Sequence, residues 1–219
     1  MTDGTDGDPT INHSLLGSLY SPRQRLRSAD RTRLATARTI VDSSYADIVE
    51  FIDGDLPDDP YFVVAVDDDV QATTFEAYKL LHHYLAALYS FNEAIRATIT
   101  AYLPNSVALT RERFTPDNTG SRVEYARRLL FLRGLRIAAQ HGAFNDCFPV
   151  EQWNPSSNRY RIAFDTTAFT QHDRLQNPSQ YLAHSNENWQ REPLRYIGSF
   201  HTTNFHPFYR DCLAWFETY

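Results

Sequence analysis

The sequence predicts a mainly α-helical protein, an antiparallel helical bundle followed by a small C-terminal β-hairpin and short helices. Three observations carry this expectation. Apolar residues step by three or four without interruption from Phe75 to Tyr102, the signature of one long amphipathic helix. A further helical stripe starts at a capping box, Ser121 with Glu124 three residues later. Beyond Gly142 the texture changes to two short β-prone runs that flank Asn154-Pro155-Ser156-Ser157-Asn158, the pattern of a hairpin.

Taken in order, residues 1–20 form a flexible acidic tail, with Asp3, Asp6 and Asp8 among Gly and Thr and a short apolar patch from residue 11 onward. Residues 21–145 are the bundle and residues 146–219 the hairpin and short helices packed on it. The first helix is expected over residues 28–52, with Leu34, Val41, Ile48 and Ile52 at helical spacing and Ala37 and Tyr45 filling the same face. Asp53-Gly54-Asp55 and Pro57 end it. Residues 61–66 suit a short strand or an ordered loop. The second helix carries Phe75, Tyr78, Leu81, Leu85, Leu88, Phe91, Ile95, Ile99 and Tyr102; at 1.5 Å per residue it is about 45 Å long and needs partners throughout, hence a bundle. A polar link over residues 110–120 leads to the third helix, with Val123, Ala126, Leu130, Gly134, Ile137 and His141 on one stripe and Gly142 as C-cap. Pro178 opens a short helix over residues 181–189, and Pro207 opens another with Phe208, Cys212, Trp215 and Phe216 facing inward.

A chain of 219 residues with 42% hydrophobic and 14% aromatic content buries a core without staples. The net charge of −6 argues against a chain-wide nucleic-acid surface but leaves room for a local basic patch. Lys79 is the only lysine against 20 arginines, and 18 aspartates outnumber 9 glutamates. Adaptation to a high-salt cytoplasm and a GC-rich genome both account for that bias. Cys147 and Cys212 are too few and too far apart for a disulfide framework, and free thiols fit a reducing compartment. Neither a signal peptide nor a membrane span is expected, so the cytoplasm is the default location.

The segment Leu132-Arg133-Gly134-Leu135-Arg136-Ile137-Ala138-Ala139-Gln140-His141-Gly142 holds the most chemistry. Transfer of a ribose 2′-hydroxyl onto the adjacent phosphate needs a proton acceptor and then a donor, and histidine does both near neutral pH. The phosphorane gathers negative charge that a guanidinium holds on two oxygens at once. Arg136 and His141 are five positions apart, about 140° around an α-helix, so either the arginine bends around the helix or a second copy in a two-fold dimer completes the cleft. The bland alternative is a packed histidine and a surface-paired arginine.

Leu135-Arg136, four residues and then His141-Gly142 resembles the HEPN superfamily, helical domains marked by an arginine, four to six residues and a histidine in a late helix. The long helix with His83-Tyr84-Leu85-Ala86-Ala87-Leu88, the linker and the strand-containing tail are similar too, over residues 73–164. The resemblance implies a HEPN-type bundle and a metal-independent endoribonuclease, a toxin or defence effector, working as a homodimer beside a nucleotidyltransferase-type antitoxin. Carried over, Arg136 holds the phosphate and His141 is general acid or base, with Arg133 and His83 the further candidates for contact with RNA. The position after the arginine, polar in most members, is Ile137; this implies weakened cleavage with the fold and dimer retained.

Other residues carry less. His82 and His83 are adjacent, whereas helical metal pairs stand at i,i+4. A polar helix flank explains them. His172, His184, His201 and His206, with Asp165 and Asp173, crowd the C-terminal third at spacings that match no metal motif, so no metal or other cofactor is expected. Arg122, Arg127, Arg128, Arg133 and Arg136 make the third helix basic, for RNA phosphates or for the chain's own aspartates. Trp153, Trp189 and Trp215 read as core anchors. The expectation is an HEPN-like endoribonuclease. The alternatives are a catalytically inactive dimerisation or interaction module, and a subunit of a larger assembly such as a virus particle.

Overall fold

In the computed structural model the chain is predominantly helical. The structure describes residues 26–55, 63–64, 70–102, 121–142, 144–154, 159–182 and 193–218; the expected acidic tail, the 110–120 link, His184 and Trp189 lie outside them, as do the side chains of Arg122, Trp153 and Trp215.

Helix α1, Ser28–Asp55, buries Leu34, Val41 and Ile48, seven apart, along one line. It packs lengthwise on α2, Val70–Tyr102. A clamp fixes their antiparallel sense. Asp30, buried at the start of α1, accepts hydrogen bonds from Arg27 Nε at 3.0 Å and from the hydroxyl of Tyr102, the last residue of α2. The Tyr102 hydroxyl, then Arg27 and Arg33, hold the Asp30 carboxyl below its usual range against the opposing effect of burial. Along α2 the predicted stripe is buried at Leu81, Leu85, Leu88, Phe91, Ile95 and Ile99. Phe75 is the exception. It is 69% exposed.

Helix α3, Ser121–Gln140, departs from expectation. Its described buried residues are Tyr125, Phe131, Leu132, Gly134, Leu135, Ala138 and Ala139; of the expected stripe only Gly134 is among them, whereas Ala126, Leu130 and Ile137 are half-buried and His141, just past the helix, is exposed. The physical reason is that α3 is packed on more than one side, so no single stripe marks its core. One neighbour is α2. Others include α6, Pro178–Leu182, and α8, His206–Thr218. Gly142 ends the turn at φ +79°, as a left-handed C-terminal glycine does.

A short helix α4, Phe144–Cys147, leads into strands β2, Val150–Asn154, and β3, Arg159–Ile162. They pair antiparallel with Val150 opposite Ile162, and β1, Val63–Val64, lies along the other edge of β3, giving the order β1-β3-β2. Ile162, Ala163 and Phe164 carry this sheet into the core. Asp165, weighed above as a metal ligand, is instead the N-cap of α5, Thr166–Gln171, accepting from the amides of Thr167 and Ala168 at 2.8 and 3.0 Å. Helix α7, Pro193–Phe200, runs through a π-helical turn, His201–Phe205, into α8. Phe208, Cys212 and Phe216 of α8 are buried as the spacing required.

Gly134 shows how closely α3 meets the C-terminal elements. A Cβ there would lie 2.7 Å from Phe169 Cζ and 3.0 Å from Tyr181 Cβ. Alanine normally stabilises a helix interior relative to glycine by about 1 kcal/mol. Here overpacking reverses the sign, and Gly134→Ala is expected to lower stability by about 1–3 kcal/mol in denaturant unfolding. A variant as stable as wild type would show that α5 and α6 yield freely.

Candidate functional site

Of the residues singled out in the sequence, Arg133 and Arg136 fall into one depression and His141 into another. The first is a groove between α2 and α3 lined by Leu85, Leu88, Tyr89, Asn92, Glu93, Arg96, Leu129, Leu132, Arg133 and Arg136. Arg96 is paired with Glu93 at 2.8 Å. The Arg136 guanidinium lies flat on Tyr89, 3.5 Å from the ring centroid, a close cation–π contact. Its Nε is buried and meets no acceptor among the described residues. A buried charged donor left without a partner is costly, and native proteins seldom leave one. Arg133 stands exposed one turn earlier on the same rim.

The second depression is shallow and open, lined by His141, Gly142, Asp146, Ala168, Gln171, His172 and Asp173. The His141 ring is exposed and its centroid lies 6.4 Å from that of His172. His172 is oriented by the Arg174 amide, which donates to its Nδ1 at 3.1 Å. Asp146 and Asp173 line the depression with no arginine among its lining residues, so within one chain it is a poor place for phosphate.

The structure therefore does not bring Arg136 and His141 into one cleft. The cause is local. Helix α3 stays regular to Gln140, so five residues leave the two side chains about 140° apart. His83 is exposed on α2 beside His82, with ring centroids 6.4 Å apart, and lines neither depression. Two further arginines of α3 are engaged within the chain. Arg127 pairs with Glu124 at 3.2 Å, and Arg128 donates to Asn204 Oδ1 at 2.9 Å and Ser199 Oγ at 3.2 Å.

The grouping that the sequence did not reveal joins His201 and His206 to Asp42 of α1, rather than to Asp165 or Asp173. Spacing alone had no means of selecting Asp42 from the far end of the chain. Both cysteines are buried thiols, and burial, then Asp146 and Asp165, pushes Cys147 up to about 11, which leaves it unreactive. No described helix is long and apolar enough to cross a membrane.

No protein-family model matches the chain, and no curated protein and no solved structure matches it either.

Proposed function

We propose that this chain acts on RNA as an HEPN-type, metal-independent endoribonuclease whose site is completed by a second copy. The reading takes the helices to be a HEPN-type bundle and β2–β3 to be the hairpin that follows it. The observation that carries it is the Arg136 guanidinium, packed on Tyr89 in an open groove with a buried Nε that no acceptor among the described residues satisfies. Pinned on Tyr89 with its Nε enclosed, the guanidinium is preorganised to meet a phosphate oxygen in the groove through its terminal N–H groups. Arg133 on the same rim adds charge. His141, exposed at the end of α3, is free to reach the groove of a two-fold partner. In that arrangement Arg136 stabilises the phosphorane and His141 moves the proton.

The second reading is an inactive interaction module. It is favoured by the apolar Ile137 beside Arg136 and by the separation of Arg136 from His141 within one chain.

Cleavage of a mixed RNA pool by the folded protein, with and without chelator, separates the two. The endoribonuclease predicts cleavage that survives chelation. It falls by about 10²–10⁴-fold in His141→Ala and by about 10²–10³-fold in Arg136→Ala, while circular dichroism is unchanged. A folded wild type that cleaves nothing leaves the module as the reading to pursue.

A further inference from the structure

We propose that Asp42, His201 and His206 form a site for a divalent transition-metal ion, zinc being the ion this donor set fits. It is independent of the RNA reading and lies on different elements.

The distances point to coordination rather than to ordinary hydrogen bonding. His201 Nε2 and His206 Nε2 each lie 3.4 Å from the same atom, Asp42 Oδ1, and the three donor atoms all fall within 4.8 Å of one another. Oδ1 is buried and accepts no hydrogen bond from the described residues. A spacing of 3.4 Å is long for N–H···O. Ligands held about 2.0–2.1 Å from a tetrahedral centre stand about 3.3–3.4 Å apart. The two edges that run from the carboxylate to the imidazoles thus have the length of a coordination tetrahedron's edge, and the third, between the imidazoles, lies within 4.8 Å.

The backbone is shaped for this. His201 and His206 are five apart, a spacing that a regular α-helix would spread over about 140°. The chain instead makes a π-turn over His201–Phe205, with the His206 amide donating to the His201 carbonyl. That i,i+5 bond stacks the two residues on one face and leaves their rings 4.8 Å apart. Single π-turns inside α-helices are uncommon and gather at functional sites.

The surroundings hold the ligands in place. His201 is stacked against Tyr45 at 4.0 Å, and Phe205 closes its other side at 5.1 Å. Its Nδ1 meets the Tyr84 hydroxyl at 3.3 Å; with metal on Nε2, Nδ1 keeps its proton and donates to that oxygen, the usual supporting contact of a ligating histidine. Arg38 Nε binds the outer oxygen of Asp42 at 3.0 Å and turns Oδ1 inward. Three protein ligands leave a further position open, on the side where His206, Arg38, Thr202 and Tyr209 line a surface depression. Arg38 there favours water, hydroxide or another small anion as the exchangeable ligand. Two imidazoles exclude magnesium and calcium as preferred ions.

The test uses the full chain, stripped by chelator and dialysed, then titrated with Zn²⁺ and, separately, with Co²⁺ as a visible-spectrum probe. The expected result is one saturable Zn²⁺ per chain, a Tm that rises with Zn²⁺, and a tetrahedral Co²⁺ spectrum. His206→Gln, half-exposed and therefore tolerated by the fold, and Asp42→Asn each weaken binding by more than the roughly 10–100-fold typical of losing a supporting contact. His83→Ala binds as wild type does. Stoichiometric binding that survives in both His206→Gln and Asp42→Asn, or a folded wild type with no saturable site, overturns the proposal.

Discussion

Tyr125→Ala is expected to lower the stability of the chain by about 3–5 kcal/mol, most of the stability of a domain at the low end of the usual range of about 5–15 kcal/mol. Tyr125 is fully buried where three elements meet. Its ring stacks on Phe208 of α8 with centroids 3.8 Å apart and planes 6° from parallel, and Phe200 of α7 lies 5.3 Å away. Its hydroxyl donates to Asn92 Oδ1 of α2 at 2.6 Å. Truncation opens a cavity and strands Asn92 at once. The two costs separate by experiment. Tyr125→Phe keeps the ring and removes only the hydroxyl, for about 1–3 kcal/mol from the unsatisfied amide oxygen. Paired urea titrations of the two variants check this. Equal losses would mean that the hydrogen bond to Asn92 of α2 carries the whole cost and that the ring contacts with α7 and α8 add nothing.

Those elements also mark what the sequence could convey. Leu34, Val41 and Ile48 on α1, the stripe from Leu81 to Ile99 on α2, and Phe208, Cys212 and Phe216 on α8 were legible, because each helix faces the core mainly on one side and its apolar period follows that side. Helix α3 was not. With α2 on one flank and α6 and α8 on others, its apolar residues wrap most of its circumference, and the period no longer selects a face. The same five-residue spacing then led to opposite outcomes at two places. Between Arg136 and His141 the helix is regular and the pair diverges; between His201 and His206 a π-turn intervenes and the pair converges. Nothing in Thr202-Thr203-Asn204 announces that turn in sequence. It is a product of packing, with Asn204 buried and held by Arg128 and Phe205 set against Phe91 of α2 at 4.8 Å. Asp42 was invisible for a related reason, since its partners come from the other end of the chain.

If the RNA site is shared between two copies, mixing two inactive variants should restore activity. Arg136→Ala supplies an intact His141, and His141→Ala supplies an intact Arg136. In a heterodimer of the two, one composite site has both wild-type residues and the other has neither. Random exchange makes about half of the dimers mixed, with one working site of two in each, so cleavage should recover to about a quarter of the wild-type rate from a background near zero. The geometry that motivates this is the placement of Arg136 in the groove against Tyr89 while His141 opens into a different depression on the same chain. The control is the double variant, Arg136→Ala with His141→Ala on one chain, mixed with wild type. Its heterodimers pair every intact residue with a lost one, so they contribute nothing, and the rate comes from wild-type homodimers alone. Wild-type cleavage without recovery on mixing would mean that each chain closes its own site, with Arg136 leaving Tyr89 to reach around α3.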